Sequence, residues 1–285
     1  MKKSMMYFML GAIMFAAQAA GFVFVLGDAS IGLESREGMV YIPAGTAYIA
    51  DLDFGTYSCA SPGFYMDASE ITKGQWDVVY EWAVSNGYAF SHVGAGKGDG
   101  HPVHTISWYD SVKWCNARSE MEGLTPCYWV NDAVYRTGTE DPSVDMNVIG
   151  YRLPTGEEWE YAARGGISER FSFGDQIDAG KANCALNGSL FEYDTSGYAQ
   201  LTFHPVHADG SLPYTSPAGS YPPNGFGLYD MTGNVWEWCN GGTNGAREIR
   251  GGSWMNDASF ARNGLQAFGD PEFSYYHLGF RCVLH

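Results

Sequence analysis

The sequence predicts an α+β domain rich in irregular structure. Three observations carry this. Only three segments combine helical periodicity with start signals, and the strand-like runs are short. Glycine is abundant, at 37 of 285 residues, against a usual share of about 7%. Aromatics nevertheless reach 15%, which marks a packed, loop-heavy chain rather than a disordered one. Finally, the stretch Pro222–Asn240, PPNGFGLYDMTGNVWEWCN, is dense in aromatic and apolar residues but has the period of neither helix nor strand.

In chain order, residues 1–19 read as a secretory signal peptide. It has a basic start at Lys2 and Lys3, an apolar run from Met5 to Ala17 and a small-residue cleavage site, Ala17-Gln18-Ala19. Apolar character continues from Gly21 to Leu26, so an uncleaved membrane anchor stays open as the alternative. No cysteine stands at the site, which argues against a lipoprotein. The expectation is a bacterial-type secreted, periplasmic or cell-envelope protein. Residues 20–37 form a linker or strand ahead of a domain at 38–285.

Met39–Ile42 reads as a strand stopped by Pro43-Ala44-Gly45, and Phe64–Met66 as another. Thr72 and Gln75 have capping-box spacing ahead of an apolar face at Trp76, Val79, Tyr80 and Ala83, and Gly87 ends that helix. Gly94–Gly100, GAGKGDG, lacks the setting of a phosphate loop and reads as plain loop. A second helix starts at Ser107, with Asp110 in its first turn and Trp108, Val112 and Cys115 on one face. It runs to the region of Gly123. Cys127–Met146 reads as strand and loop. Thr155 and Glu158 open a third helix with Trp159 and Ala162 inward and Gly165-Gly166 as its stop. Ser168–Ser216 shows no long periodic element, which implies tethering by a metal or a disulfide. Asn224-Gly225 reads as a tight-turn pair tolerant of positive φ.

The formal charge is −16. A chain this acidic repels nucleic acid and anionic lipid and favours cations. Membrane contact is expected only through an uncleaved leader. Six cysteines, Cys59, Cys115, Cys127, Cys184, Cys239 and Cys282, fit the disulfides an exported protein permits, with pairings open. Within Pro222–Asn240, the polar residues Asp230, Gly233, Asn234 and Glu237 have two readings. They are a Gly-Asn turn in an aromatic core, or irregular backbone around a hard cation such as calcium. His-Pro-Val-His occurs twice, at His101–His104 and His204–His207. Four imidazoles suit zinc, copper or iron, but the x-Pro-Val-x step is extended and separates its histidines, so coincidence is the simpler account.

The motifs GMVYIPAG at Gly38, HPVHTISWYDSVKWC at His101, YRLPTGEEWEYAARGG at Tyr151, GLYDMTGNVWEW at Gly227, RGGSW at Arg250 and LGFRC at Leu278 occur in one order. Together they resemble the formylglycine-generating enzyme (sulfatase-modifying factor) family from Gly38 to the C-terminus. The resemblance implies a variant of the C-type lectin fold. It implies a disulfide between Cys115 and Cys282, while a second family disulfide is missing at both ends, Ala163 and Gln266. The family's oxidases hold copper with two cysteines after RGGS. Those positions carry Asn256 and Ala261 here, with Ser253 retained, so neither formylglycine production nor copper is expected. The resemblance implies that the family's structural calcium sites fall on Asp230, Gly233, Val235 and Glu237, and on Asn183, Cys184, Asp209 and Ser211, with Gly233, Val235 and Cys184 acting through backbone carbonyls.

The family's active-site surface falls on Met255–His277. Here the resemblance points to a ligand-binding set of Trp254, Asn256, Phe260, Arg262, Gln266, Phe268, Tyr275, Tyr276 and His277, with Phe273 beside it. Aromatics offer large contact area at low rotamer cost. The segment is also similar to variable proteins diversified by retroelements, which share this fold and vary just before the final LGFR. The expected function is a calcium-stabilised module binding a protein, peptide or glycan. The alternatives are a metal-dependent oxidase or oxygenase with non-cysteine ligands, and a purely structural envelope protein.

Overall fold

The computed structural model describes residues 36–285; the leader and all but the end of the linker lie outside the described residues. Among those described, no helix is long and apolar enough to cross a membrane. The elements run β1 (Met39–Ile42), β2 (Gly45–Asp51), β3 (Gly55–Ser61), β4 (Phe64–Asp67), α1 (Lys73–Ser85), α2 (Trp108–Met121), β5 (Tyr128–Val130), β6 (Ala133–Val134), β7 (Ser143–Val144), β8 (Tyr151–Arg152) and α3 (Gly156–Arg164). They continue with β9 (Trp236–Thr243), β10 (Ala246–Arg250), a 3-10 turn at Ala258–Ala261, β11 (Ala267–Gly269), β12 (Leu278–Gly279) and β13 (Val283–Leu284). One sheet has the order β1-β4-β13-β8 and a second β11-β10-β9-β12, beside the hairpin β2-β3 and the small sheet β6-β5-β7.

All three helices start as their sequences direct. Thr72 with Gln75, Ser107 with Asp110, and Thr155 with Glu158 each close a reciprocal capping box; a cap contributes about 1 kcal/mol. α1 runs to Ser85 with Asn86 as its cap, and Gly87 stops it by turning the chain at φ +86°. α2 is buried nearly all round, not on one face. Its Lys113 stays charged-compatible by donating to the carbonyls of Ala89 and Gly138. The core joins the helices to the C-terminus: Trp76 stacks on Trp114 at 6.0 Å, and Phe280 meets both edge-on.

Several expectations need correction. Gly45 does not merely stop β1; it opens β2, whose Ala47, Ile49 and Asp51 point inward. Asp51 is tolerated there because Arg164 pairs with it at 2.8 Å. The run Pro222–Asn240 is irregular only up to Val235, since β9 begins at Trp236. In its turn the left-handed residue is Gly227 (φ +91°), not Asn224 or Gly225. Gly225 is glycine for a packing reason, as a Cβ there would lie 2.1 Å from the Gly165 carbonyl oxygen. The long segment 168–216 is held by its own apolar cluster of Phe171, Ile177, Cys184 and Leu186 against Ala258 and Ala261. Burial therefore holds the segment in addition to any tethering by a metal or disulfide.

Cys115 on α2 and Cys282 ahead of β13 do meet, but as thiols. Their sulfurs lie 3.4 Å apart, beyond the bond length of about 2.05 Å, and all six cysteines are free here. The contact places the pair to bond in an oxidising compartment. Peptide mapping, without reductant, of the protein recovered from an oxidising medium is expected to yield a linked Cys115–Cys282 fragment, with Cys184 unpaired. Recovery of both cysteines as free peptides would refute the pairing.

Candidate functional site

The start of β9 enters the core through a polar knot. Asp230 (φ +54°), Gly233 (φ +84°) and Asn234 (φ +62°) are all left-handed, which prevents regular structure. At Gly233 a Cβ would stand 2.4 Å from the Asn183 carbonyl oxygen. Asn234 organises the knot. Its backbone N–H donates to the Asn183 carbonyl at 2.7 Å, its Oδ1 accepts from the Ser216 N–H at 2.9 Å, and its Nδ2 donates to Glu70 Oε1 at 3.0 Å.

The first calcium set does not assemble as the resemblance implied. Glu237 is occupied on both oxygens: Arg281 grips it as a fork at 2.7 and 2.8 Å, and Trp159 Nε1 donates to it at 2.7 Å. Asp230 is different. Its Oδ1 is buried without a hydrogen-bond partner, and so are Glu70 Oε2, Asn183 Oδ1 and Ser216 Oγ. Burial pushes the Asp230 carboxyl up to about 6. Burial and then the neighbouring Asp230 charge push Glu70 well above the usual carboxylate range. Two carboxylates, an amide oxygen and a hydroxyl without donors suit a hard cation. The residues present therefore fit calcium through Asp230 with Glu70, Asn183 and Ser216, while Glu237 leaves the set. Gly233 and Val235, which the resemblance brings in through their backbone carbonyls, lie in the turn that leads into β9. Nothing in the sequence marked Glu70 beyond its place two residues before the α1 cap.

The second calcium set falls apart. Asn183 belongs to the knot, while the Cys184 thiol, which was not the expected donor, packs in the apolar cluster. Asp209 is exposed and held by Lys97 at 2.8 Å, with the Ser211 N–H donating to it at 3.0 Å. The ammonium already neutralises that carboxylate.

The aromatic surface assembles in part. Ser253 Oγ donates to Asn256 Oδ1 at 2.6 Å and Trp236 Nε1 donates to the same oxygen at 2.8 Å. Phe260 stands edge-on to Trp236. Trp254 packs on Tyr276 at 5.6 Å, and Tyr275 and Tyr276 flank His277 at 5.3 and 5.5 Å. The Trp236 N–H donates to the His277 carbonyl, closing the surface. Phe260, Phe273, Tyr275 and Tyr276 are exposed. The long segment adds Phe203 and Tyr214 against Trp254, which the sequence missed because it shows no periodicity. Three expected residues lie elsewhere. Arg262 turns to Asp53 and stacks over Phe54. Gln266 and Phe268 belong to the β11 edge, and β12, which follows His277, is the opposite edge of the same sheet, a separation of about 14 Å at normal strand spacing. Ala261 is buried in the apolar cluster.

The two His-Pro-Val-His copies do not combine. His204 and His207 stack at 4.6 Å, so the second copy is a turn, not extended. His204 bonds to the Ala179 carbonyl, His207 to Tyr221 and His101 to Thr215. Two open clefts, of about 430 Å³ beside Arg170 and Tyr193 and about 520 Å³ beside Trp129 and Asp145, are lined by none of the aromatic-surface residues.

The sulfatase-modifying factor enzyme 1-like domain family matches residues 30–285. The chain belongs to this family. It shares the family's α+β variant of the C-type lectin fold, and the CarF crystal structure superposes with a TM-score of 0.69 at 30% identity, over 86% of this chain and 97% of CarF. It is 30% identical to "Chaperone protein LppX" of Paenibacillus barcinonensis, over 78% of this chain and 80% of that protein. It is 33% identical to the formylglycine-generating enzyme of Streptomyces coelicolor, over 59% of this chain and 55% of that enzyme.

Proposed function

We propose that this family member is an exported, calcium-holding domain that binds a protein, peptide or glycan on the Trp254–Tyr276 surface and does not make formylglycine. The observation that carries this reading is the state of Asn256. It stands where the oxidases keep a copper-binding thiolate, and the retained Ser253 hydroxyl is engaged by its amide oxygen. A carboxamide is a poor ligand for monovalent copper, which takes soft sulfur donors. What the position offers is an amide nitrogen framed by Trp236 and by exposed rings. Such aromatic anchors with a polar centre are the composition of binding hot spots. The LppX relative is named a chaperone, which supports a protein or peptide client. An oxidase with non-cysteine ligands is less well supported, since no group of three His, Cys, Asp or Glu side chains able to hold a metal occurs among the described residues.

The test screens the immobilised mature protein against peptide and glycan arrays, then repeats the strongest ligand with Tyr276→Ala and Tyr275→Ala. Binding is expected to fall about tenfold or more. In parallel, copper and a sulfatase-type cysteine peptide are expected to leave the peptide mass unchanged. Conversion of that peptide, or binding indifferent to both tyrosines, would sink the reading.

A further inference from the structure

We propose that His104 and His277 form a two-nitrogen site for an imidazole-seeking divalent cation, of the zinc and copper class, at the margin of the aromatic surface. The two residues come from segments that run side by side. The Thr105 N–H donates to the Tyr275 carbonyl at 2.9 Å, and Gly279 packs so close to Val103 that a Cβ would stand 2.5 Å from the Val103 carbonyl oxygen. His104 is only 4% exposed. Its Nδ1 lies 2.9 Å from Thr105 Oγ1, and its Nε2 is buried with no partner. His277 Nδ1 is likewise buried with no partner, and its ring is stacked on Tyr275 and flanked by Tyr276.

A buried nitrogen without a partner is costly, and here two occur on neighbouring imidazoles. Burial holds both rings below the usual histidine range. His104 falls to about 4, with the nearness of His101 and His277 as lesser causes. Neutral rings carry the lone pairs that a metal needs. In the tautomer with its proton on Nδ1, His104 donates to the Thr105 hydroxyl and keeps the Nε2 lone pair free, the arrangement by which an outer oxygen orients a ligating histidine. Thr105 has a left-handed φ of +58°, a conformation that a β-branched residue rarely adopts. The other mapped histidines of the two repeats are committed to Thr215, Ala179 and Tyr221. Imidazole without carboxylate selects zinc or copper over calcium or magnesium. With two protein nitrogens, one fewer than open zinc sites have, the remaining positions fall to water or to a ligand's own donor.

The site stands independently of the ligand-binding reading and of calcium. Its test uses the full mature chain, saturated with calcium so that the oxygen site is not the one titrated. Zinc is added in competition with a chromophoric chelator. One zinc per chain is expected, with His104→Gln and His277→Asn each weakening it about tenfold or more, and His207→Gln leaving it unchanged. Copper(II) bound to the wild type is expected to show hyperfine coupling to two imidazole nitrogens, and to one in His277→Asn. That variant lies at the surface margin and decides the matter even if the buried His104→Gln fails to fold. Absence of zinc binding at micromolar concentration, or an unchanged nitrogen count in His277→Asn, overturns the proposal.

Discussion

Arg281→Leu is expected to lower the stability of the folded chain by about 3–5 kcal/mol, the usual cost of leaving one partner of a buried pair uncompensated. Arg281 is fully buried and Glu237 nearly so. The guanidinium makes the two-point grip on Glu237 and also donates to the carbonyls of Tyr229, Asp67 and Ala68. It thereby ties the C-terminal segment to β9, to the end of β4 and to the polar knot. For a domain of this size the loss corresponds to a melting temperature lower by roughly 10 °C or more. Arg281→Lys keeps the charge but loses the fork, and is expected to fall between. The decisive comparison is the double variant Arg281→Leu with Glu237→Leu. Because buried pairs are stabilising mainly relative to their half-broken forms, the double variant should recover part of the loss. A melting temperature for Arg281→Leu within about 2 °C of wild type would show that the pair does not anchor this corner.

This pair also marks the limit of what the sequence discloses. The helices were legible because their signals are local: Thr72, Ser107 and Thr155 each sit three residues from the side chain that completes the cap. β2 and β3 carried an alternating signal, but inward Asp51 disguised it, and its partner Arg164 is far along the chain. Glu237 reads as a calcium ligand by its place in GNVWEW, yet its fate is set by Arg281, which no local pattern connects to it. Glu70 was overlooked for the complementary reason. A carboxylate ahead of a helix reads as surface, and only burial against Asp230 gives it a role. In the aromatic surface, Trp254 closes the motif RGGSW and Tyr275–His277 lead directly into the motif LGFRC, which is what made them legible. Gln266 and Phe268 were misassigned because nearness in sequence to that motif says nothing about which edge of the β11–β12 sheet a residue occupies.

The carboxyl pair gives the second large effect, in which pH and calcium act in opposite directions. Asp230 is raised from its ordinary 3.8 to about 6 by burial, and burial and the neighbouring Asp230 charge raise Glu70 in the same direction. The folded state therefore binds protons more tightly than the unfolded state, and without metal stability falls as pH rises through the folded values. In chelator, stability and with it the melting temperature are expected to rise from neutral pH down to about pH 5, Asp230 alone contributing on the order of 1 kcal/mol over that range. Calcium reverses the sign. An ion between the two carboxylates favours their charged form, so it stabilises most at neutral pH and is displaced as protons return. At about a hundredfold excess over its dissociation constant it should add about 2.7 kcal/mol. The melts with and without calcium are thus expected to diverge at neutral pH and converge in mild acid. Asp230→Asn and Glu70→Gln should each flatten the chelator curve and remove the calcium response, while titrations elsewhere in the chain remain common to all variants. Coincident melts at neutral pH would rule out a bound ion at this pair. A chelator curve that falls towards pH 5, in the wild type relative to the two variants, would instead show that the carboxyls are not raised.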